Sequence, residues 1–517
     1  MAGAPRPHYL TCAAGQIRIW QAGQGSDLVV VPGLTLAASV VAADLAGRHP
    51  GHRITAIELP GLGGSADHGA ASLPDLAETV REAMRLAGTG SARPVLCDLA
   101  GALRTYLDGD PVWVAAERAV GWTAARIAPP DGAPRTDGTH LTALWTFLRD
   151  RHVLRPDDPT QPDPDGEPVP DADSLDATLT SFAVRPDRYA ALWRVLSAGI
   201  GAAPAGEHVR SLADLLASPS ARPDAAAPAR TQPLPGARIW HQEVETARGR
   251  THLRRAGGEG RPLLVIPTGG GSSSQFAPVV QGLARGRQVF SVDYLGNGLS
   301  EKPDRQNVTI ADLAEDMAAL VDALGFAAVD VWGSHTGAVV GLELALRHPD
   351  KVGRLVMEGP VFVSPDFQTD LLSSYFPPLR PDGWGRHLQS VWNWRRDMFL
   401  FWPWYRAERG ATRQLGLPSP QHLHDYAIGI LESGPTYDSA YRAAFSYDTA
   451  SRLPRLTRPA LVTAGPNDML ANALAETQAL ALPNVEVRET PTTVWWPDPE
   501  PDAAATTLAI YDAFLTG

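Results

Sequence analysis

Cysteine is nearly absent: the chain has two, Cys12 and Cys97, in 517 residues. Two thiols build neither a disulfide framework nor a zinc cluster, and their scarcity suits a reducing, cytoplasmic setting. Long apolar runs are missing too. The greasiest stretch, 28–43, is interrupted by Pro32-Gly33 and is too short to cross a bilayer. The opening "MAGAPRPHYLTCAAGQ" has no uninterrupted apolar core of the signal-peptide kind. Positive charge is in deficit, 45 basic against 57 acidic residues for a net charge of -12, which argues against nucleic acid or an anionic membrane as partner. Histidine stops at His424. What is present is ordinary globular composition, 44% hydrophobic and 20% charged, in a chain long enough for two domains.

The chain reads as one unit written twice. "TCAAGQIRIWQAG" (11–23) recurs as "VETARGRTHLRRAG" (244–257), and "LVVVPGLTLAAS" (28–39) as "LLVIPTGGGSSS" (263–274). "AIELPGLGGSADH" (56–68) and "SVDYLGNGLSEKP" (291–303) share Gly61/Gly296, Gly63/Gly298 and Ser65/Ser300. "DLAETVREAMRLAG" (75–88) and "DLAEDMAALVDALG" (312–325) are amphipathic helices stopped by glycine. "GTHLTALWTFLRDRHVLRP" (138–156) and "GRHLQSVWNWRRDMFLFWP" (385–403) share seven residues, His140/His387 and Trp145/Trp392 among them.

Strands and helices alternate in each copy, which predicts α/β architecture: mainly parallel sheets with helices on both faces. Strands such as "RPLLVIP", "RQVFSVD" and "RPALVTAG" are apolar throughout, as buried parallel strands are. The expected organisation is a first domain over 1–217, an Ala/Pro-rich linker over 218–236 and a second domain over 237–517. A long helical, aromatic excursion over about 361–455 interrupts the second domain as a lid.

The second copy resembles the α/β-hydrolase superfamily in its lipase, epoxide hydrolase and haloalkane dehalogenase style. The resemblance rests on "VIPTGGGSSSQF", "SVDYLGNGLSEKPD", "VWGSHTGAVVGLELALRHPDKVGRLVMEGP" and "PALVTAGPNDML", and runs from about 240 to 517. The first copy resembles the same family more weakly, from about 8 to 200, and lacks counterparts of the last two strands. That truncation leaves a sheet edge to be covered by the second copy or by another chain, as in a homodimer.

The resemblance implies a nucleophile elbow at Gly333-Ser334-His335-Thr336-Gly337, where a family hydrolase has serine in the middle. Here the middle residue is His335, with Ser334 one place early. It also implies oxyanion donors at the N–H of Thr336 and of Gly269, beside Thr268, and an acid at Asp468. The family's catalytic histidine would fall at Val494 or Trp495, where there is none, so serine at this elbow has no base. In the first copy "CDLAG" (97–101) places Leu99 at the elbow tip.

An imidazole at the tip reaches Asp468 directly and works as a general base without a covalent intermediate. The expected catalytic pair is therefore His335 and Asp468, with no metal and no cofactor. Asp293 stands beside the pocket as a second acid or as an organiser of the following loop. Trp332, Trp392 and Trp495, with the aromatic lid sequence 391–410, are expected to wall a site for a small hydrophobic, aromatic or polycyclic substrate. The reaction is hydrolysis or a cofactor-free cyclisation, elimination or decarboxylation. A non-catalytic protein that traps an apolar ligand is the alternative.

Overall fold

The structure, a computed structural model, describes residues 4–90, 92–108, 111–114, 128–155, 158–164, 168–201, 227–235 and 238–517. The chain divides into two compact units, one of residues 1–232 with 381–389, the other of 233–380 with 390–517. Part of the expected linker, 218–226 and 236, lies outside the described residues. The segment before Pro233 runs against the first unit: Thr231 Oγ1 donates to the Tyr9 carbonyl at 2.7 Å and Ala229 N–H to that of Leu86 at 2.7 Å.

The first unit holds a six-stranded sheet of β1 (Arg6–Cys12), β2 (Gly15–Gly23), β3 (Ser26–Val31), β4 (His52–Ile57), β5 (Val95–Cys97) and β6 (Val112–Val114). Their order is β1-β2-β4-β3-β5-β6. The second unit holds β7 (Trp240–Thr246), β8 (Gly249–Ala256), β9 (Arg261–Ile266), β10 (Arg287–Val292), β11 (Val329–Ser334), β12 (Val352–Glu358), β13 (Ala460–Ala464) and β14 (Val485–Glu489). Read from the other edge, its order is β7-β8-β10-β9-β11-β12-β13-β14. The first six places match the first sheet, and among the described residues the first sheet has no strand in the last two. In both, an antiparallel hairpin leads into parallel strands.

The likeness extends to individual hydrogen bonds. In the first unit Arg18 N–H donates to Ser65 Oγ at 2.9 Å, and Ser65 Oγ donates to the Glu58 carbonyl at 3.2 Å. In the second, His252 N–H donates to Ser300 Oγ at 2.8 Å, and Ser300 Oγ to the Asp293 carbonyl at 2.7 Å. Ser72 with Asp75 and Thr309 with Asp312 form the same capping box at the start of the following helix.

Between β12 and β13 the chain makes its helical excursion: Pro365–Ser374, Arg386–Leu400, Pro420–Ser433, Ser439–Phe445 and Thr449–Arg452. The stretch 381–389 belongs to the first unit, where His387 Nε2 meets Asp176 at 3.0 Å and packs edge-on to Trp145. His387 is therefore a packing residue, as its recurrence at His140 suggests.

Strand β11 turns into the helix Thr336–Arg347 with almost no room. A Cβ on Gly337 would stand 1.9 Å from the Ile266 carbonyl oxygen, and one on Gly333 would stand 2.2 Å from that of Gly337. Neither backbone neighbour can step aside. Gly337→Ala is expected to lower stability by about 2 kcal/mol or more, the scale of overpacking in a rigid core. An unchanged midpoint in thermal or urea denaturation would contradict that close approach.

Candidate active site

The turn that those glycines permit places His335 at φ 48° and ψ -105°, a region that side chains other than glycine rarely occupy. Holding a residue there costs on the order of 1–3 kcal/mol, and the surroundings must enforce it. His335 N–H donates to the Glu358 carbonyl at 2.8 Å, fastening the tip to the end of β12. The ring then points toward the loop after β13, where Nε2 lies 3.0 and 3.1 Å from the two oxygens of Asp468. Leu470 N–H donates to Asp468 Oδ1 at 2.8 Å, so the carboxylate is oriented from behind. Gly359 makes space for the pair: a Cβ there would stand 2.7 Å from the imidazole and 2.8 Å from the carboxylate.

A carboxylate accepts only, so the bond fixes the His335 proton on Nε2 and leaves Nδ1 with its lone pair. Among the described residues no hydrogen bond reaches Nδ1, and the side chain keeps 6% of its surface open. Burial works against the charged ring, but Asp468, backed by Glu358, outweighs it and holds the imidazole above its ordinary pKa. Burial likewise opposes the charge of Asp468, and His335 outweighs that, keeping the carboxyl below its usual range. Arg413 stands close enough to act on both; its guanidinium donates to the Asn467 carbonyl at 2.7 Å and the Met398 carbonyl at 2.8 Å.

Glu358 is part of this cluster although nothing in the motif marks it. Its side chain is fully buried and receives the Trp495 indole N–H and, at 2.8 Å, the Tyr511 hydroxyl. Burial and the charge of Asp468 push its pKa up. The one signal in the sequence is a carboxylate closing the apolar run "GRLVME", an expensive residue at a strand end. Trp495, where the family resemblance locates a histidine, sets its ring edge-on to His335 with centroids 5.6 Å apart. Its polar atom is spent on Glu358.

The other expected residues divide. Gly269, in the turn after β9, comes next to Thr336: a Cβ on it would stand 2.8 Å from Thr336 Oγ1 and equally close to Tyr441 of the excursion. Thr336 opens its helix, so its N–H precedes the intrahelical ladder. Thr268, Thr336 and Ser334 are all buried with hydroxyls that find no partner.

Three residues stand elsewhere. Asp293 is held by His252 Nδ1 at 2.8 Å, Ser273 N–H at 2.6 Å and Leu299 N–H at 2.9 Å. Burial opposes its charge, but Arg254 and His252 hold it far below the usual range. These bonds tie it to its own loop, the commoner of the two roles expected of it. Trp332 does not wall a pocket: strand alternation turns it into the core against Phe276 and Tyr511. Trp392 is completely enclosed in its helix and offers no surface to a substrate.

The first unit departs from expectation at its own elbow. The strained residue is Asp98, at φ 46°, not Leu99. Strand β5 ends at Cys97, so the sharp turn falls one residue earlier than the glycine spacing suggests. Asp98 is bonded by the Thr35 hydroxyl, and Leu99 is buried.

Residues 261–493 match the family model described as alpha/beta hydrolase fold. A protein of Caulobacter vibrioides named "Putative carbamate hydrolase RutD" is 29% identical over 239 residues, which is 44% of this chain and 82% of that protein. The 2-hydroxymuconate semialdehyde hydrolase of Pseudomonas putida is 36% identical over 163 residues, 31% of this chain and 54% of that protein. Among solved structures, an epoxide hydrolase from an endophytic Streptomyces aligns at 20% identity and a TM-score of 0.44, covering 54% of this chain and 96% of its own. Among the described residues no helix is long and apolar enough to cross a membrane.

The His335–Asp468 contact has a direct spectroscopic consequence. In an NMR titration His335 is expected to titrate above an ordinary histidine, and in Asp468→Asn below one, because burial is then poorly opposed. A His335 titration unmoved by that substitution would mean that the two groups do not interact.

Proposed function

We propose that the second domain, whose residues 261–493 match the model described as alpha/beta hydrolase fold, is a hydrolase using His335 as general base in place of a serine nucleophile. One observation carries the reading: the elbow tip presents an imidazole whose Nε2 meets Asp468 and whose Nδ1 meets no partner among the described residues. Hydrolysis is chosen over cyclisation, elimination or decarboxylation because the relatives are named for hydrolytic activities.

Nδ1 takes a proton from water as that water attacks a carbonyl carbon. Asp468 stabilises the imidazolium that forms, as a buried carboxylate does when it orients a base. The N–H groups of Thr336 and Gly269 receive the developing oxyanion, and the imidazolium then returns its proton to the leaving group. Ser334 takes no part: its side chain is buried, and Val494 and Trp495 stand where a family hydrolase has its histidine. The substrate is read as a small molecule with flat apolar parts, consistent with Tyr441 of the excursion standing beside Gly269 at the glycine turn.

The first unit is read as a scaffold copy of the second, supported by the shared strand order and loop hydrogen bonds. It has neither imidazole nor acid at its elbow beyond Asp98 itself.

A panel of small esters, carbamates and 1,3-dicarbonyl compounds tests the reading. His335→Ala is expected to cut turnover by about a hundredfold or more while ligand affinity persists, the usual contribution of a positioned base. The kcat/KM profile of the native protein should rise through a pKa above the ordinary histidine value, since only the neutral ring accepts a proton. A fluorophosphonate probe should not label the protein. Labelling at Ser334, or full turnover in His335→Ala, would overturn the proposal, and ligand binding with no turnover in any variant would make the domain a binder.

A further inference from the structure

Three arginines of the second unit are buried: Arg254, Arg287 and Arg395. Arg254 faces Asp293 and Glu432, and Arg287 faces Asp512 and Asp330. Arg395, 5% exposed, faces no carboxylate at all among the described residues. Nη1 donates to the sulfur of Met398 at 2.9 Å, the guanidinium also interacts with the Tyr426 hydroxyl, and Nε has no partner among the described residues. Its Cζ lies 3.6 Å from the centroid of the Tyr426 ring. A guanidinium does not give up its proton, so a positive charge sits enclosed among aromatic rings with three or more of its five donors unused. A thioether, a hydroxyl and a ring face are weak compensation for a desolvated cation.

The surroundings tie this charge to the proposed active site. Tyr426, under Arg395, packs 6.4 Å from Trp495, and Trp495 packs 5.6 Å from His335. Trp394, the neighbouring residue, reaches the glycine turn: a Cβ on Gly270 would stand 3.3 Å from its ring. His422 has an unpartnered Nε2, and burial with the charge of Arg395 holds its pKa down to about 4, so it stays neutral and does not repel an anion's counter-charge. Asp468 is paired with His335, and Glu358 with Trp495 and Tyr511.

We propose that Arg395 binds a carboxylate of the substrate, which makes the second domain's substrate a flat, unsaturated or aromatic carboxylic acid rather than a purely apolar molecule. The inference rests on the reading of this domain as an enzyme with His335 at its reacting end. A planar carboxylate suits one guanidinium walled by rings, since two parallel N–H donors match its two oxygens.

Cinnamate, its neutral isostere cinnamamide and inorganic phosphate serve as probes, measured by calorimetry and thermal shift on the full chain. Cinnamate should bind, and cinnamamide and phosphate at least about tenfold more weakly, as losing a charge-assisted bond to a buried cation implies. Arg395→Met should abolish the preference for cinnamate over cinnamamide, and Arg395→Lys should restore part of it. His335→Ala should leave cinnamate binding within about twofold, since that change removes the base and not the anion contact. Equal binding of acid and amide, binding of neither, phosphate binding as strong as cinnamate, or an unchanged preference in Arg395→Met would each overturn the proposal. The comparison of acid with amide on the native protein needs no variant to fold. If the anion preference holds while His335→Ala leaves turnover intact, the base is wrong and the anion site stands.

Discussion

The second domain is organised around one contact, an imidazole nitrogen 3.0 Å from a buried carboxylate. Neither group is stable alone in that position. Asp468 without His335 would be a desolvated charge, and His335 without Asp468 would be a strained residue with nothing to hold its ring. Gly333, Gly337 and Gly359 are required by that contact or by the turn that creates it, because a single added carbon at each would meet backbone or the pair itself. The tip is tied to β12 through Glu358, whose own carboxylate is tied by Trp495 and Tyr511 to the loop and helix that follow β14. Strain at the elbow is thus balanced by bonds to three separate elements of the sheet's far end.

The two units separate what the framework needs from what the chemistry needs. Glu58 and Asp293 occupy equivalent places, and each gathers a cation, a serine and a loop N–H. That position answers to loop geometry, which both units share. The elbow tip is also strained in both, at φ 46° and 48°. What differs is the residue placed there and its surroundings. Asp98 is paired to a neighbouring hydroxyl, whereas His335 has a carboxylate on one nitrogen and, among the described residues, no partner on the other.

Beneath the helical excursion, Asp468 is paired with His335 and feels Arg413, whose guanidinium comes from the excursion, as does that of Arg395.

The α/β architecture, mainly parallel strands with helices on both faces, was legible in the amino-acid sequence. Apolar runs of strand length, glycine spacing and repeated segments are local patterns, and a parallel sheet admits few ways to assemble them. The sequence also showed that no histidine follows His424, so the family position at 494 or 495 has none. Which face each large residue presents was decided only by tertiary packing. Trp332 and Trp392 turned inward, Asp293 was taken up by its loop, and the first elbow fell on Asp98, since one residue of register moves a side chain to the opposite side. The same holds for Glu358 and Arg395: composition reveals that a charge exists, but only the folded chain determines whether an opposite charge has been placed within its reach.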